Sequence, residues 1–161
     1  MTQPVLLDNT VLTNFALVNR SDLVTDLWAT AACTTPSVLA EYQVGVADGL
    51  LPPDAWVSLS FVQLTEAEAA FAVSLRPRLG AGERTCLAVA VHRRGLFVSD
   101  DLDARHTARE HGIPTTGTVG ILVLCVRRGI LSRDQADALL AEMTALGYRA
   151  PVATVGPLLD K

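Results

Sequence analysis

Acidic residues follow apolar segments at two distant places in the sequence. Asp8 comes directly after the apolar residues 5–7, and Asp100 and Asp101 come shortly after the apolar residues 96–98. If both segments are parallel strands of one sheet, their carboxyl ends meet at the same edge. Clustered carboxylates repel one another, so they take up protons or a cation. Mg²⁺ and Mn²⁺ prefer carboxylate and water oxygens, and such an ion can stabilise a phosphodiester during hydrolysis. The pattern therefore indicates phosphate-ester hydrolysis.

Two glutamates are expected near the same edge. Glu83 begins a predicted helix just before the second of these strands, and Glu41 lies on the helix after another predicted strand. Each acid also has a purely structural interpretation. Asp8 can cap the helix that follows it, one of Asp100 and Asp101 can cap the next helix, Glu83 can stabilise a helix N-terminus, and Glu41 can be solvated. The joint placement favours the functional interpretation.

Residues around these acids give weaker signals. Asp103 is expected as an exposed first-turn acid, with a place at the border of the site as the alternative. Thr118 begins a helix next to the active edge, where the backbone amides of residues 117–120 either hold a phosphate or make a tight turn. Arg105 and Arg109 lie one helical turn apart, so they either contact RNA phosphates or form a solvated face.

Short apolar runs alternate with longer amphipathic stretches. Strands are expected at residues 4–7, 31–35, 56–59, 96–99 and 113–115. Helices are expected at residues 10–20, 22–30, 36–46, 83–94, 117–128 and 133–146, with one more beginning after Thr65 and one ending at His111. Thr65 and Glu68 predict a capping box, Ser21 a helix cap, and Gly95 a helix end. This alternation predicts an α/β fold whose parallel sheet is covered on both faces.

Composition restricts the class of protein. The 161 residues suit one domain, and the net charge of −4 with a pI near 5.3 argues against a broad basic face. Positive charge for a nucleic acid must therefore come from local arginines and a bound cation. The longest apolar run, residues 119–126, is too short to span a membrane, and the N-terminus lacks a signal-peptide pattern. The widely spaced Cys33, Cys86 and Cys125 argue for a reducing compartment and against zinc. We expect a cytoplasmic protein.

Other phosphate chemistries fit less well. Residues 80–82 lack the third glycine of a dinucleotide loop and the GK[ST] of a P-loop. A phosphatase with DxD after its first strand would need an acid at Thr10. The three histidines lack metal-ligand spacing such as HExxH.

Four segments resemble the motifs of the PIN-domain family, in the family's order. VLLDNTVLTNF resembles the first motif, with Asp8 as the acid and Thr10 as the small polar position. PSVLAEY resembles the second motif and places Glu41. GAGERTCLAVA resembles the third and places Glu83. The resemblance covers about residues 4–128.

The fourth motif is LFVSDDLDARHTARE. In many PIN domains it reads as Ser or Thr, any residue, then Asp, which makes Asp101 the best match after Ser99. A subgroup with a doubled acid followed by Ala-Arg is similar to residues 100–105, and TTGTVGILVL resembles the Gly-Thr-x-Gly helix start of that subgroup. Thr118 occupies the threonine position of this start.

The resemblance implies a three-layer α/β/α fold with a central, mainly parallel five-stranded sheet. It implies one domain over residues 1–161, with the core motifs at 4–128 and a helical C-terminal region at 132–161. Asp8, Glu83 and Asp101, assisted by Asp100 and Glu41, would hold Mg²⁺ or Mn²⁺ and cleave RNA. Many small bacterial members, the VapC-type toxins, form homodimers and are inhibited by an antitoxin. The alternative is a catalytically silent PIN-like module that binds RNA or a partner protein.

Overall fold

Strand β1 (Val5–Leu7) lies at the centre of a five-stranded sheet of order β3-β2-β1-β4-β5. On one side follow β2 (Ala32–Thr34) and β3 (Ser60–Phe61), and on the other β4 (Leu96–Val98) and β5 (Thr115–Thr116). All four strand pairings are parallel. The computed structural model describes residues 2–161. Because Leu7 is paired with Val98, the residues that follow β1 and β4 leave the sheet at the same edge.

Helices cover both faces of the sheet. They are α1 (Asn9–Leu17), α2 (Asp22–Trp28), α3 (Pro36–Ala47), α4 (Glu66–Ser74), α5 (Ala81–Arg93), α6 (Leu102–Glu110), α7 (Thr118–Arg127), α8 (Arg133–Ala145) and α9 (Gly156–Leu159). A short 3-10 helix, Ala29–Ala31, precedes β2. Helix α5 packs against β1, β4, α3, α4 and α6, whereas α7 packs against α2, α8, α9 and β5. This arrangement confirms the predicted three-layer α/β/α fold.

The central strands are short, apolar and buried on both faces. Leu6, Leu7, Phe97 and Val98 have no exposed surface. Such burial is typical of parallel strands covered by helices on both sides. Helix α7 is also core, since Ile121 and its apolar neighbours are buried. The apolar run of residues 119–126 therefore belongs largely to the interior.

Some predicted element positions are wrong. Residues 56–58 lie in a turn rather than a strand, and the third strand begins at Ser60. The indole of Trp56 is buried and donates a hydrogen bond from Nε1 to the carbonyl of Leu12 at 3.1 Å, so a tertiary contact fixes this turn. The fifth strand lies at residues 115–116 rather than 113–115. Ser21 makes no side-chain capping bond.

The end of α5 differs by one residue from the prediction. Arg94, with φ of 52°, takes the left-handed position that ends the helix, and Gly95 follows it. Gly95 serves a close approach instead, because a Cβ there would lie 2.5 Å from the Pro4 carbonyl oxygen. The capping box of Thr65 and Glu68 is confirmed at the start of α4.

Candidate functional site

Asp8 occupies the first position after β1. Its carboxylate is 2% exposed and caps α1, because Oδ1 accepts a hydrogen bond from the Asn9 amide at 2.8 Å. Its second oxygen, Oδ2, accepts from the hydroxyl of Ser99 at 2.8 Å. Ser99 follows β4, so this bond joins the ends of the two central strands. The capping interpretation of Asp8 is therefore correct, but it accounts for only one of the two carboxylate oxygens.

Ser99 also positions the second acid of the edge. Its Oγ accepts a hydrogen bond from the Asp101 amide at 3.1 Å. The carboxylate of Asp101 caps α6 through Oδ1, which accepts from the Ala104 amide at 2.8 Å. Of the two adjacent acids, Asp101 is thus the helix cap. Asp8 and Asp101 are held on either side of one buried hydroxyl.

Glu41 and Glu83 reach this edge from α3 and α5. Glu83 Oε2 accepts a hydrogen bond from the Gly80 amide at 3.1 Å, and Glu41 Oε1 accepts from the Gly82 amide at 2.9 Å. Gly82 allows the approach of Glu41, because a Cβ at this position would lie 2.7 Å from Glu41 Oε1. Because Gly82 has no side chain, the start of α5 leaves room for Glu41 of α3 to lie near Glu83.

Two of the four acids, Asp8 and Glu83, have raised pKa values. Burial is the main cause that raises the pKa of Asp8 to about 6, and the charges of Glu41 and Asp101 raise it further against the lowering hydrogen bond from Ser99. Burial also raises the pKa of Glu83 to about 7, together with the charges of Asp8, Asp101 and Glu41. Ionising all four carboxyl groups at neutral pH is therefore unfavourable unless a cation compensates.

The donor chemistry fits a hard divalent cation, but the side chains do not close around one. Among residues 2–161, no three His, Cys, Asp or Glu side chains converge closely enough to hold a metal ion. Each acid instead turns one oxygen to a backbone amide. Within the same residues, one oxygen each of Glu41, Glu83 and Asp101 remains without a hydrogen-bond partner. Carboxylate oxygens of this kind are the ligands that Mg²⁺ and Mn²⁺ prefer.

Asp100 stands apart from this group, although the sequence placed it among the catalytic acids. Its Oδ1 accepts hydrogen bonds from the Thr118 amide at 2.8 Å and the Tyr148 hydroxyl at 3.2 Å. Its Oδ2 accepts from the Thr118 hydroxyl at 2.6 Å and the Asn14 side-chain amide at 3.2 Å. With four donors, Asp100 ties α1, α7 and the segment after α8 to the end of β4.

The supporting residues that the sequence predicted lie in three different places. Thr10 is exposed on α1 and lines a concavity of about 360 Å³ that also includes Asp101. Thr118 is buried and bonds to Asp100. Asp103 is exposed and pairs with Arg78 at 3.4 Å, outside the group of acids.

The two arginines of α6 also differ in position. Arg105 lies near Asp100, since a Cβ placed on Gly117 would contact both Asp100 Oδ1 and Arg105 Nη1. Arg109 is exposed one turn further along the helix and lines neither the concavity of Thr10 nor the larger one beside Arg105.

Two residues near the site were missed from the sequence. Asn14 is 8% exposed and lies on the apolar stripe of α1 with Val11 and Phe15. A polar residue within such a stripe is a detectable signal, because a buried amide needs partners. Tyr148 gave no signal, because its bond to Asp100 spans 48 residues and depends on how the segment after α8 folds back.

Comparison with known protein families identifies the family of the chain. A family model described as a PIN domain matches residues 4–161 and so includes every acid discussed above. No curated protein and no solved structure matches the chain significantly. PIN domains are generally nucleases and typically use divalent metals. The α/β/α fold, the motif order and the family match lead to one conclusion: the chain belongs to the PIN-domain family.

Proposed function

We propose that this chain is a divalent-cation-dependent endoribonuclease whose site is the group of Asp8, Glu41, Glu83 and Asp101. The observation that carries the proposal is the gathering of these acids at one sheet edge, where burial, with a smaller contribution from the neighbouring carboxylates, raises the pKa of Asp8 to about 6 and of Glu83 to about 7. Carboxylates that lie together without cationic partners and have strongly raised pKa values are found preferentially at functional sites.

Asp8, Glu83 and Asp101 would hold Mg²⁺ or Mn²⁺. Glu41 would add a fourth negative charge beside the ion. A bound ion of this kind supplies Lewis-acid stabilisation of the charge that develops on a phosphodiester. The residues of the chain orient the reacting groups. Ser99 fixes Asp8 relative to Asp101, and Glu83, whose pKa is raised to about 7 in the metal-free protein, would release its proton on binding the ion.

Asp100 has a different role in this proposal. All of its hydrogen-bonding capacity is used to hold Thr118, Asn14 and Tyr148. It is therefore a positioning residue that fixes the start of α7 and the segment after α8 next to the acids, rather than a ligand of the ion.

Cleavage of single-stranded RNA tests the proposal. The protein should cleave RNA with Mn²⁺ or Mg²⁺ and lose this activity with a chelator. Because hydrolysis uses water as the nucleophile, the products should carry one phosphate monoester and one hydroxyl end. Products with 2′,3′-cyclic phosphate ends, or cleavage that is insensitive to the chelator, would reveal a different nuclease and overturn the proposal.

A catalytically silent module that binds RNA or a partner protein is the second candidate. The observation that favours it is the lack of a converging set of three metal-ligating side chains within residues 2–161. Calorimetric titration with Mn²⁺ separates the two candidates. Saturable binding that is lost in Asp8→Asn supports the nuclease, whereas no binding at millimolar ion supports the silent module.

We further propose that the nuclease acts as the toxin of a toxin–antitoxin pair and forms a homodimer in the cytoplasm. Large apolar side chains are exposed at Val44, Leu50, Val57, Phe61 and Val73, and these are available for such contacts. Light scattering on the purified chain gives the oligomeric state. Growth arrest on expression, relieved by a small protein encoded next to the gene, would support the toxin assignment.

None of the helices within residues 2–161 has the length and apolarity needed to cross a membrane.

A further inference from the structure

A second concavity lies beside the acidic edge, on the other side of Tyr148 and Arg149. Its volume is about 700 Å³, within the range of roughly 300–1,000 Å³ for small-molecule sites. It shares Asp100, Tyr148 and Arg149 with the smaller concavity that contains Asp101. A polymer that passes over the acids can therefore continue into it without leaving the surface.

The cations on its wall are arginines. Arg105 is half-buried, and its Nε is buried without a hydrogen-bond partner among residues 2–161. Its guanidinium makes no ion pair within that part of the chain, and the exposed Arg149 lines the same wall. Since the chain carries a net charge of −4 and the neighbouring edge is acidic, these arginines are placed where they can offset repulsion of a polyanion.

The remainder of the concavity is largely apolar. Leu102, Val119, Pro151 and Leu158 contribute to it, beside the ring of Tyr148. Leu102 is 77% exposed although it directly follows Asp101, so a large apolar side chain is presented to solvent next to a catalytic candidate. Nucleobases stack on aromatic side chains and on arginine guanidinium groups. The walls of this concavity offer both, beside exposed apolar surface.

We propose that this concavity binds one nucleotide of the substrate strand, adjacent to the phosphodiester at the acids. Arg105 and Arg149 bind its phosphate, and Leu102 with Tyr148 supports its base. The inference rests on the proposed nuclease function in one respect: only a nuclease makes this nucleotide part of a substrate strand. Binding of the nucleotide itself requires no cleavage. The structure thus assigns a specificity-determining role to a surface outside the acidic group.

Binding of a mononucleotide tests the site directly. The full chain is titrated in the presence of chelator with adenosine 5′-monophosphate, adenosine or inorganic phosphate, and amide chemical shifts are followed by NMR. We expect shifts at Leu102, Val119 and Tyr148, with the nucleotide binding about tenfold more tightly than either fragment. Equal binding of inorganic phosphate would reduce the site to an anion site, and no shifts at millimolar nucleotide would exclude it. Either result overturns the proposal.

Matched variants assign the contacts. Arg105→Ala should weaken nucleotide binding by about tenfold, whereas Arg109→Ala, which removes the same charge from the same helix outside the concavity, should leave it within about twofold. Leu102→Ala should weaken binding of the nucleotide but not of inorganic phosphate. Equal effects of the two arginine variants would show a general charge effect and contradict the site. Thermal unfolding of each variant checks that the fold is kept.

Cleavage kinetics connect the site to the reaction. RNA oligonucleotides are shortened by one residue at a time from either end. At one end, removal of a single nucleotide should raise KM in the wild-type protein and in Arg109→Ala, but change little in Arg105→Ala. If truncation raises KM equally in Arg105→Ala, the nucleotide lies elsewhere. If the wild-type protein cleaves nothing, the proposed function fails, while the binding experiment still decides whether the concavity holds a nucleotide.

Discussion

The hydroxyl of Ser99 donates a hydrogen bond to Asp8 Oδ2 at 2.8 Å and also accepts one from the Asp101 amide. One buried side chain thus sets the relative position of two acids that lie 93 residues apart, at positions 8 and 101. It also lowers the pKa of Asp8 against the larger raising effect of burial.

Ser99→Ala should raise the pKa of Asp8 above its value of about 6, because the stabilising hydrogen bond to the ionised carboxylate is lost. The measurement is an NMR titration of the Asp8 carboxyl carbon in metal-free protein. Ser99→Thr keeps the hydroxyl and should leave the pKa close to that of the wild-type protein. A pKa that is unchanged in Ser99→Ala would show that the hydroxyl does not act on Asp8.

Asp100 and Asp101 should respond differently to substitution. Asp100→Ala removes the acceptor of the Thr118 and Tyr148 hydroxyls and one of the two acceptors of the Asn14 amide, so we expect a loss of about 2–4 kcal/mol in the free energy of unfolding. Asp101→Asn keeps a good helix-capping residue and should unfold almost as the wild-type protein does, but cleave RNA at least about 100-fold more slowly.

Urea unfolding and initial cleavage rates measure both effects. A stable Asp100→Ala would contradict the positioning role of Asp100, and an active Asp101→Asn would contradict the role of Asp101 in the acidic site.

Gly82→Ala should disturb the position of Glu41. The added Cβ would lie 2.7 Å from Glu41 Oε1 and 3.0 Å from Val38 Cγ2, so Glu41 must move. We expect a cost of about 1–3 kcal/mol in stability and a fall in cleavage rate of about tenfold. Gly80→Ala is the matched control, because its Cβ would meet Glu41 Oε1 at an ordinary 3.9 Å. Full activity in Gly82→Ala would remove Glu41 from the site.

Stability of the metal-free protein should depend on pH through Asp8 and Glu83. Their pKa values are raised in the folded state, from 3.8 to about 6 and from 4.5 to about 7. The protonated forms therefore favour folding at low pH, and this contribution is lost as pH rises through the folded pKa values. Asp8→Asn cannot ionise, so it should gain stability relative to wild type between pH 4 and pH 7, by an amount on the order of 3 kcal/mol.

Urea unfolding of both proteins at each pH gives this difference. A difference in stability that stays constant from pH 4 to pH 7 would contradict the raised pKa of Asp8. Addition of Mn²⁺ at pH 7 should stabilise the wild-type protein more than Asp8→Asn, since ligand binding to the folded state shifts the unfolding equilibrium.

The elements nearest to the acids could be predicted because their signals are local. An apolar run followed by an acid marks the ends of β1 and β4, and parallel pairing brings these ends to one edge. The third strand was predicted too early because it consists of only Ser60 and Phe61, both exposed, whereas the preceding turn is fixed by the distant contact of Trp56 with Leu12. A two-residue edge strand leaves almost no periodic pattern in a sequence.

The roles of the adjacent acids could not be separated from the sequence. Both follow the same strand, so periodicity treats Asp100 and Asp101 alike, although the family motif favoured Asp101. Their difference arises from non-local donors, chiefly Tyr148, which reaches Asp100 from beyond α8. Which carboxylate is free and which is held depends on the folded positions of such partners.

The most direct test of the nuclease assignment compares two single substitutions of aspartate. Initial rates of RNA cleavage with Mn²⁺ are measured for the wild-type protein, Asp8→Asn, and Asp160→Asn, whose aspartate is exposed near the end of the chain. We predict that Asp8→Asn cleaves at least about 100-fold more slowly, while Asp160→Asn cleaves at the wild-type rate. Equal rates in all three proteins would contradict the assignment of Asp8 to a catalytic site.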